Sequence, residues 1–144
     1  MLISYFIWGY ILPKISDYGI SSIKLIKLGL PISYFSLFLI IYFGNNAGAF
    51  LFTIYIMTSI VISLTQPAIA LNFSKNLAGK SLTSFNVFLF SGTFFVQWGI
   101  GLVIDLCNNK GFDILSSYRI SFSLFLFLCV LSYIFFIYLN KNEN

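Results

Sequence analysis

Between Leu82 and Leu106 the chain runs for 25 residues without a charge until Asp105. Three further apolar runs of about 20 residues accompany it, the length at which a helix rising about 1.5 Å per residue crosses roughly 30 Å of hydrocarbon. Such runs leave few solutions. With 59% hydrophobic residues, 8% charged residues and no histidine in 144 residues, the chain lacks the polar surface to cover a soluble core. In hydrocarbon every backbone polar group needs an internal partner, so only helices or a closed barrel can span. A barrel would show alternation in segments of about ten residues, and the continuous run Phe122 to Tyr138 shows none. The expected fold is an all-α integral membrane protein in contact with the lipid bilayer. The net charge of +4 then concerns topology, not nucleic acid.

Read in order, residues 1–12 are apolar but cover only about 18 Å, and they lack the basic n-region and small-residue site of a signal peptide. They read as a partial helix whose beginning is missing. A basic connection with Lys14, Lys24 and Lys27 follows. Spans are expected over 23–43, 50–71, 82–106 and 120–139, with a polar tail at 140–144, all in one membrane domain. Pro31, inside the first span, is tolerable if a neighbouring helix or water satisfies the carbonyl it frees. The connection after the second span holds Lys75 and Lys80, and CNNKGFDILSSY separates the last two spans as a loop of turn-formers. Six lysines (Lys14, Lys24, Lys27, Lys75, Lys80, Lys141) fall on one side, against Lys110 and Arg119 on the other. The excess places that side, and the C-terminus, in the cytoplasm of a cell inner (cytoplasmic) membrane. Cys107 and Cys129 differ in depth by about half a bilayer, too far for a disulfide, and read as free packing residues.

Polar side chains within the spans need a reason, because an unpartnered amide is costly in hydrocarbon. At about 100° per residue, Asn86, Thr93 and Gln97 fall at about 0°, 340° and 20°, one narrow stripe, while Gly92 and Gly99 fall near 240° and 220°. One reading puts the stripe on a substrate pathway and the glycines against a neighbouring helix, the second span being the expected one. The other makes the stripe ordinary interhelical hydrogen bonding, worth about 0.6 kcal/mol per contact. On the second span Ser59, Ser63 and Gln66 form a stripe ending at Pro67. Proline removes a donor there, so the hydroxyls either satisfy carbonyls at a kink or touch substrate at a hinge.

The stretch NLAGKSLTSFNVFLFSGTFFVQWGIGLVIDL resembles the connection between the tenth and eleventh helices, and the eleventh helix itself, of bacterial major facilitator superfamily permeases. GYILPKISDYG, residues 9–19, is similar to the loop after the eighth helix. Gly9, Lys14 and Gly19 fit that loop's pattern, but Pro13 replaces its acidic residue and Asp17 stands where a basic one is common. The departure weakens the gating salt-bridge network such a loop would imply. The resemblance implies the end of helix eight and helices nine to twelve of an MFS-type bundle, with the tenth and eleventh facing the pathway. It also implies N-terminal transporter helices as partners and a small-molecule solute as cargo. No ionisable residue lies well inside a full span, and there is no HExxH, paired acid or metal set, so no catalytic residue, metal site or cofactor is expected. The alternative is a non-transporting helical membrane protein, a remnant or a packing partner for another membrane subunit.

Overall fold

The computed structural model describes residues 6–11, 14 and 22–141. All regular structure among them is helical. Residues 6–11 are helical, followed by α1 (Ser22–Phe43), α2 (Ala49–Ser59), α3 (Thr65–Asn72), α4 (Lys75–Asn109) and α5 (Ile114–Leu139). A tight 3₁₀ segment, Ile60–Leu64, joins α2 to α3, so the three together form one second span interrupted by a 3₁₀ turn. Four stretches are long and apolar enough to cross a membrane: Ser22–Asn46, Ala49–Pro67, Asn76–Asn109 and Ile114–Leu139. The chain is a multi-pass helical membrane protein.

The helices extend past the apolar runs where the neighbouring polar residues are themselves helix-compatible. Lys75 to Ser81, expected as connection, is the first part of α4. At 35 residues α4 is about 52 Å long, well beyond a hydrocarbon core, so its polar start continues the helix outside it. The α3–α4 break is made by Phe73 and Ser74, both extended, with ψ of 152° and 151°. At the other end of α4 the long loop expected from CNNKGFDILSSY shrinks to Lys110–Asp113. Gly111 has φ of 85°, a conformation available to a residue without Cβ. It lets Phe112 N–H reach Cys107 O at 3.2 Å and Gly111 N–H reach Asn108 O at 3.0 Å, the two bonds of a Schellman cap. Asp113 then caps α5, accepting from Ser116 N–H at 3.2 Å.

α1 is the centre of the arrangement. It packs against the second span on one side and α5 on another, while α5 in turn carries α4. The buried cluster joins Ile26 and Leu30 of α1 to Val61 and Leu64 of the 3₁₀ segment, with Trp8, Leu25, Tyr34, Tyr133 and Phe136 against it. Gly29 makes this contact close: a Cβ there would lie 2.9 Å from Val61 Cγ2. Trp8 ties the first helical residues to the second span, its indole N–H donating to Met57 O at 3.0 Å.

Pro31 leaves the carbonyl of Lys27, four residues back, without its helical donor. Tyr133 of α5 supplies one, its hydroxyl donating to Lys27 O at 2.6 Å. The same residue's Nζ donates to Asn140 O at 2.8 Å, at the C-terminus of α5. At the opposite end Arg119, near the start of α5, donates from Nη2 to Tyr42 O at 3.0 Å in the last turn of α1. Thus each of these two helices has its unsatisfied, negatively polarised C-terminal carbonyls met by a cation from the other. Gly44, with φ of 54°, gives Arg119 room to lie there.

Candidate functional site

The longest polar feature inside a span is the stripe on α4. Asn86, Thr93 and Gln97 are all exposed, and no residue of α4's most apolar window is buried. Thr93 donates to Leu89 O at 2.8 Å, one turn back, which satisfies its hydroxyl within its own helix. Asn86 and Gln97 have no hydrogen-bond partner among the described residues. The stripe brackets the middle of the apolar run Leu82–Leu106, at residue 94. Thr93 is about 1.5 Å and Asn86 about 12 Å before that point, with Gln97 about 4.5 Å past it.

The stripe does not face α5. The cleft between α4 and α5 is lined on the α4 side by Phe95, Val96, Gly99, Ile100 and Val103, whose mean direction is roughly 110° from the stripe. Two buried serines secure this contact. Ser121 donates to Ile100 O at 3.0 Å, and Ser117 donates to Asn108 Oδ1 at 2.7 Å. An apolar cleft of about 450 Å³ remains between the helices, with Gly99 on its wall.

The glycines behave differently from the expectation of close packing on the second span. A Cβ at Gly92 or Gly99 would meet nothing within 4 Å. α4 lies against α5, and it approaches the second span chiefly at α3, where the chain turns. The close-packed span glycine is Gly29. Its signal was in the sequence, two residues before Pro31 in an otherwise bulky run, but nothing there named Val61 as the neighbour.

On the second span the hydroxyls are turned inward on their own backbone. Ser59 donates to Ile56 O at 3.1 Å, Ser63 to Ile60 O at 2.7 Å and Thr65 to Ile62 O at 2.7 Å. All three are i−3 bonds, the spacing of the 3₁₀ segment that ends two residues before Gln66 and three before Pro67. The acceptors are Ile56, Ile60 and Ile62; none is Ser63 O, the carbonyl four residues before Pro67. Gln66 and Pro67 are exposed. Among the described residues no hydrogen bond joins this stripe to that of α4.

Of the opening loop residues, Gly9 has open space around it, and Lys14 donates to Tyr10 Oη at 2.8 Å. Gly19, with Pro13 and Asp17, lies outside the described residues. Cys107 and Cys129 are free thiols. Comparison with known protein families, curated proteins and solved structures finds no match. What the sequence did not reveal is the set of residues that hold the spans together: Tyr133 and Lys27 at one end, Arg119 and Gly44 at the other, and Ser117 and Ser121 between α4 and α5. The signal for Tyr133 was Pro31, which requires a substitute donor without saying where it comes from.

Proposed function

We propose that the chain contributes four spanning helices to a solute pathway completed by other membrane helices, as the C-terminal part of an MFS-type permease would. The observation that carries this reading is the exposed stripe on α4, with Asn86 and Gln97 unpartnered around the middle of the span. An amide facing hydrocarbon without a hydrogen bond costs on the order of 4–8 kcal/mol on the cyclohexane scale. Two such groups at this depth are sustainable if they face water, a solute or polar groups of another helix. Transporters place their sites near the midplane between repeats, and the stripe brackets that depth. The exposed α4 face supplies one wall. The membrane is the cytoplasmic one, with the C-terminus on the cytoplasmic side, following the lysine bias.

One wall does not make a pathway, so the chain alone is expected to be inactive. Purified chain in liposomes should show no saturable uptake across a panel of radiolabelled sugars, amino acids and organic anions. Activity should require co-reconstitution with the helices that form the opposing wall. Saturable flux through the chain alone, abolished by Gln97→Leu, would overturn the proposal in favour of a homo-oligomeric carrier.

A second reading, a packing subunit without transport, is favoured by the second span, where Ser59 and Ser63 already bond their own carbonyls and offer a solute little. The two readings separate in the assembled complex. Gln97→Leu that abolishes flux while the complex stays intact supports the pathway, whereas loss of the complex itself supports packing.

A further inference from the structure

A groove of about 560 Å³ lies between α1 and α5, distinct from the α4 stripe. Arg119 stands at one end of it, shared with the neighbouring cavity that Gly44 lines, and its walls are Ser123, Leu126 and Phe127 of α5 with Phe38 and Tyr42 of α1. Arg119 is about 7.5 Å from the start of α5, near the depth where a spanning helix meets the headgroup region. One of its N–H groups is committed to Tyr42 O, and Gly44 leaves room for the fork beside it. A guanidinium has five donors, so most remain to be satisfied. The acids at this end do not take them: Asp113 accepts from Ser116, and among the described residues neither Asp113 nor Asp105 pairs with Arg119.

Below the guanidinium the groove is apolar. Ser123, one turn on from Arg119, is small enough to leave the channel open, and Leu126 and Phe127 continue it over a further turn. From Arg119 to Phe127 is eight residues, about 12 Å of descent toward the midplane. A fixed cation at headgroup depth above an open, apolar channel is complementary in charge and polarity to one class of molecule.

We propose that this groove binds a phospholipid with an anionic headgroup. The phosphate lies on the Arg119 guanidinium, where planar N–H pairs match its oxygens and, unlike in a zwitterionic lipid, no headgroup cation competes for its charge, and one acyl chain runs past Ser123 to Phe127. The bound lipid satisfies the remaining donors of Arg119 and fills the space between α1 and α5. The site stands independently of the transport reading.

Native mass spectrometry of the full chain released from nanodiscs of equal phosphatidylglycerol and phosphatidylcholine tests this. The wild type is expected to retain phosphatidylglycerol over phosphatidylcholine by about fivefold, the ratio one interfacial cation supports. Arg119→Gln should bring the ratio to parity. Because Arg119 also caps α1, Ser123→Phe is the second variant: it blocks the channel below the guanidinium and leaves the bond to Tyr42 in place, and it too should abolish the preference. Equal retention of both lipids by the wild type, or a preference unchanged in Ser123→Phe, overturns the proposal. So does retention of glycerol phosphate without acyl chains to the same extent as the lipid, which would make the cation alone the binding element.

Discussion

Tyr133→Phe tests the replacement of a missing helical hydrogen bond by a side chain. The substitution removes one oxygen and keeps the ring, so the edge-on contact with Tyr34, at 5.8 Å between centroids, and the packing on Ile26 and Leu30 are retained. What is lost is the 2.6 Å bond to Lys27 O, the carbonyl that Pro31 leaves without a donor. Depriving a partly buried carbonyl of its partner costs about 1–3 kcal/mol, while hydrogen bonds between membrane helices average roughly 0.6 and reach about 1.7 kcal/mol. The membrane measurements set the scale, and the proline sets the position within it. An ordinary interhelical bond supplements a carbonyl already bonded in its own helix, whereas here the helical donor does not exist. A loss of about 1–1.7 kcal/mol is therefore expected, at the upper end of the membrane range. The decisive measurement is a double-mutant cycle with Pro31→Ala, in which residue 31 regains an N–H directed at Lys27 O. Unfolding of the reconstituted protein, followed by circular dichroism, gives the four stabilities. Tyr133→Phe should cost under about 0.5 kcal/mol in the Pro31→Ala background, leaving a coupling of about 0.5–1.7 kcal/mol. Equal cost in both backgrounds would refute the reasoning, because the hydroxyl would then act on something other than the carbonyl freed by proline.

Gly29→Leu should overpack the contact with Val61 and destabilise by about 1–3 kcal/mol, while Gly99→Leu in the chain alone should be close to neutral because its surroundings are open. If Gly99→Leu proves destabilising only when a partner is bound, the partner covers that face of α4; thermal unfolding with and without it reads this. Asp113 is held below the ordinary carboxylate value of 3.8 by hydrogen bonding from Ser116, through its hydroxyl and its backbone N–H. A depressed pKa means the ionised group stabilises the fold above 3.8 and that this contribution is lost as pH falls from there through the lower folded value, so Asp113→Ala should remove part of the stability lost on acidification below 3.8, read by unfolding at a series of pH values. Single cysteines at Lys80 and Lys110, with Cys107 and Cys129 replaced, should label from the cytoplasmic and external sides respectively. External labelling at Lys80 would reverse the orientation.

How far the sequence reaches depends on whether a property is local. Spanning is local: a run such as Leu82 to Leu106 must be helical in hydrocarbon whatever surrounds it, because its backbone groups have no other partners. Helix ends were less legible, since Lys75 to Ser81 and Ile114 to Arg119 are polar or mixed and follow the helix they adjoin. The requirement that Pro31 and Pro67 create was also readable, because proline lacks a donor in any context. What the chain does at each was not. Before Pro67 the chain runs as a 3₁₀ segment, whereas at Pro31 the donor is Tyr133, 102 positions away along the chain. The polar stripe of α4 follows from helical periodicity alone, but periodicity gives an angle and not a neighbour. Tertiary packing decided that α5 lies roughly 110° from the stripe and leaves it exposed. The glycines make the same point: all lack a Cβ, and only the packing of α1 on the second span turned Gly29, and not Gly92 or Gly99, into the point of close approach. Arg119 counted in the sequence as a charge on one side of the membrane. Its role at the end of α1 exists because α1 and α5 run antiparallel with their termini level, a relation between segments that no single segment contains.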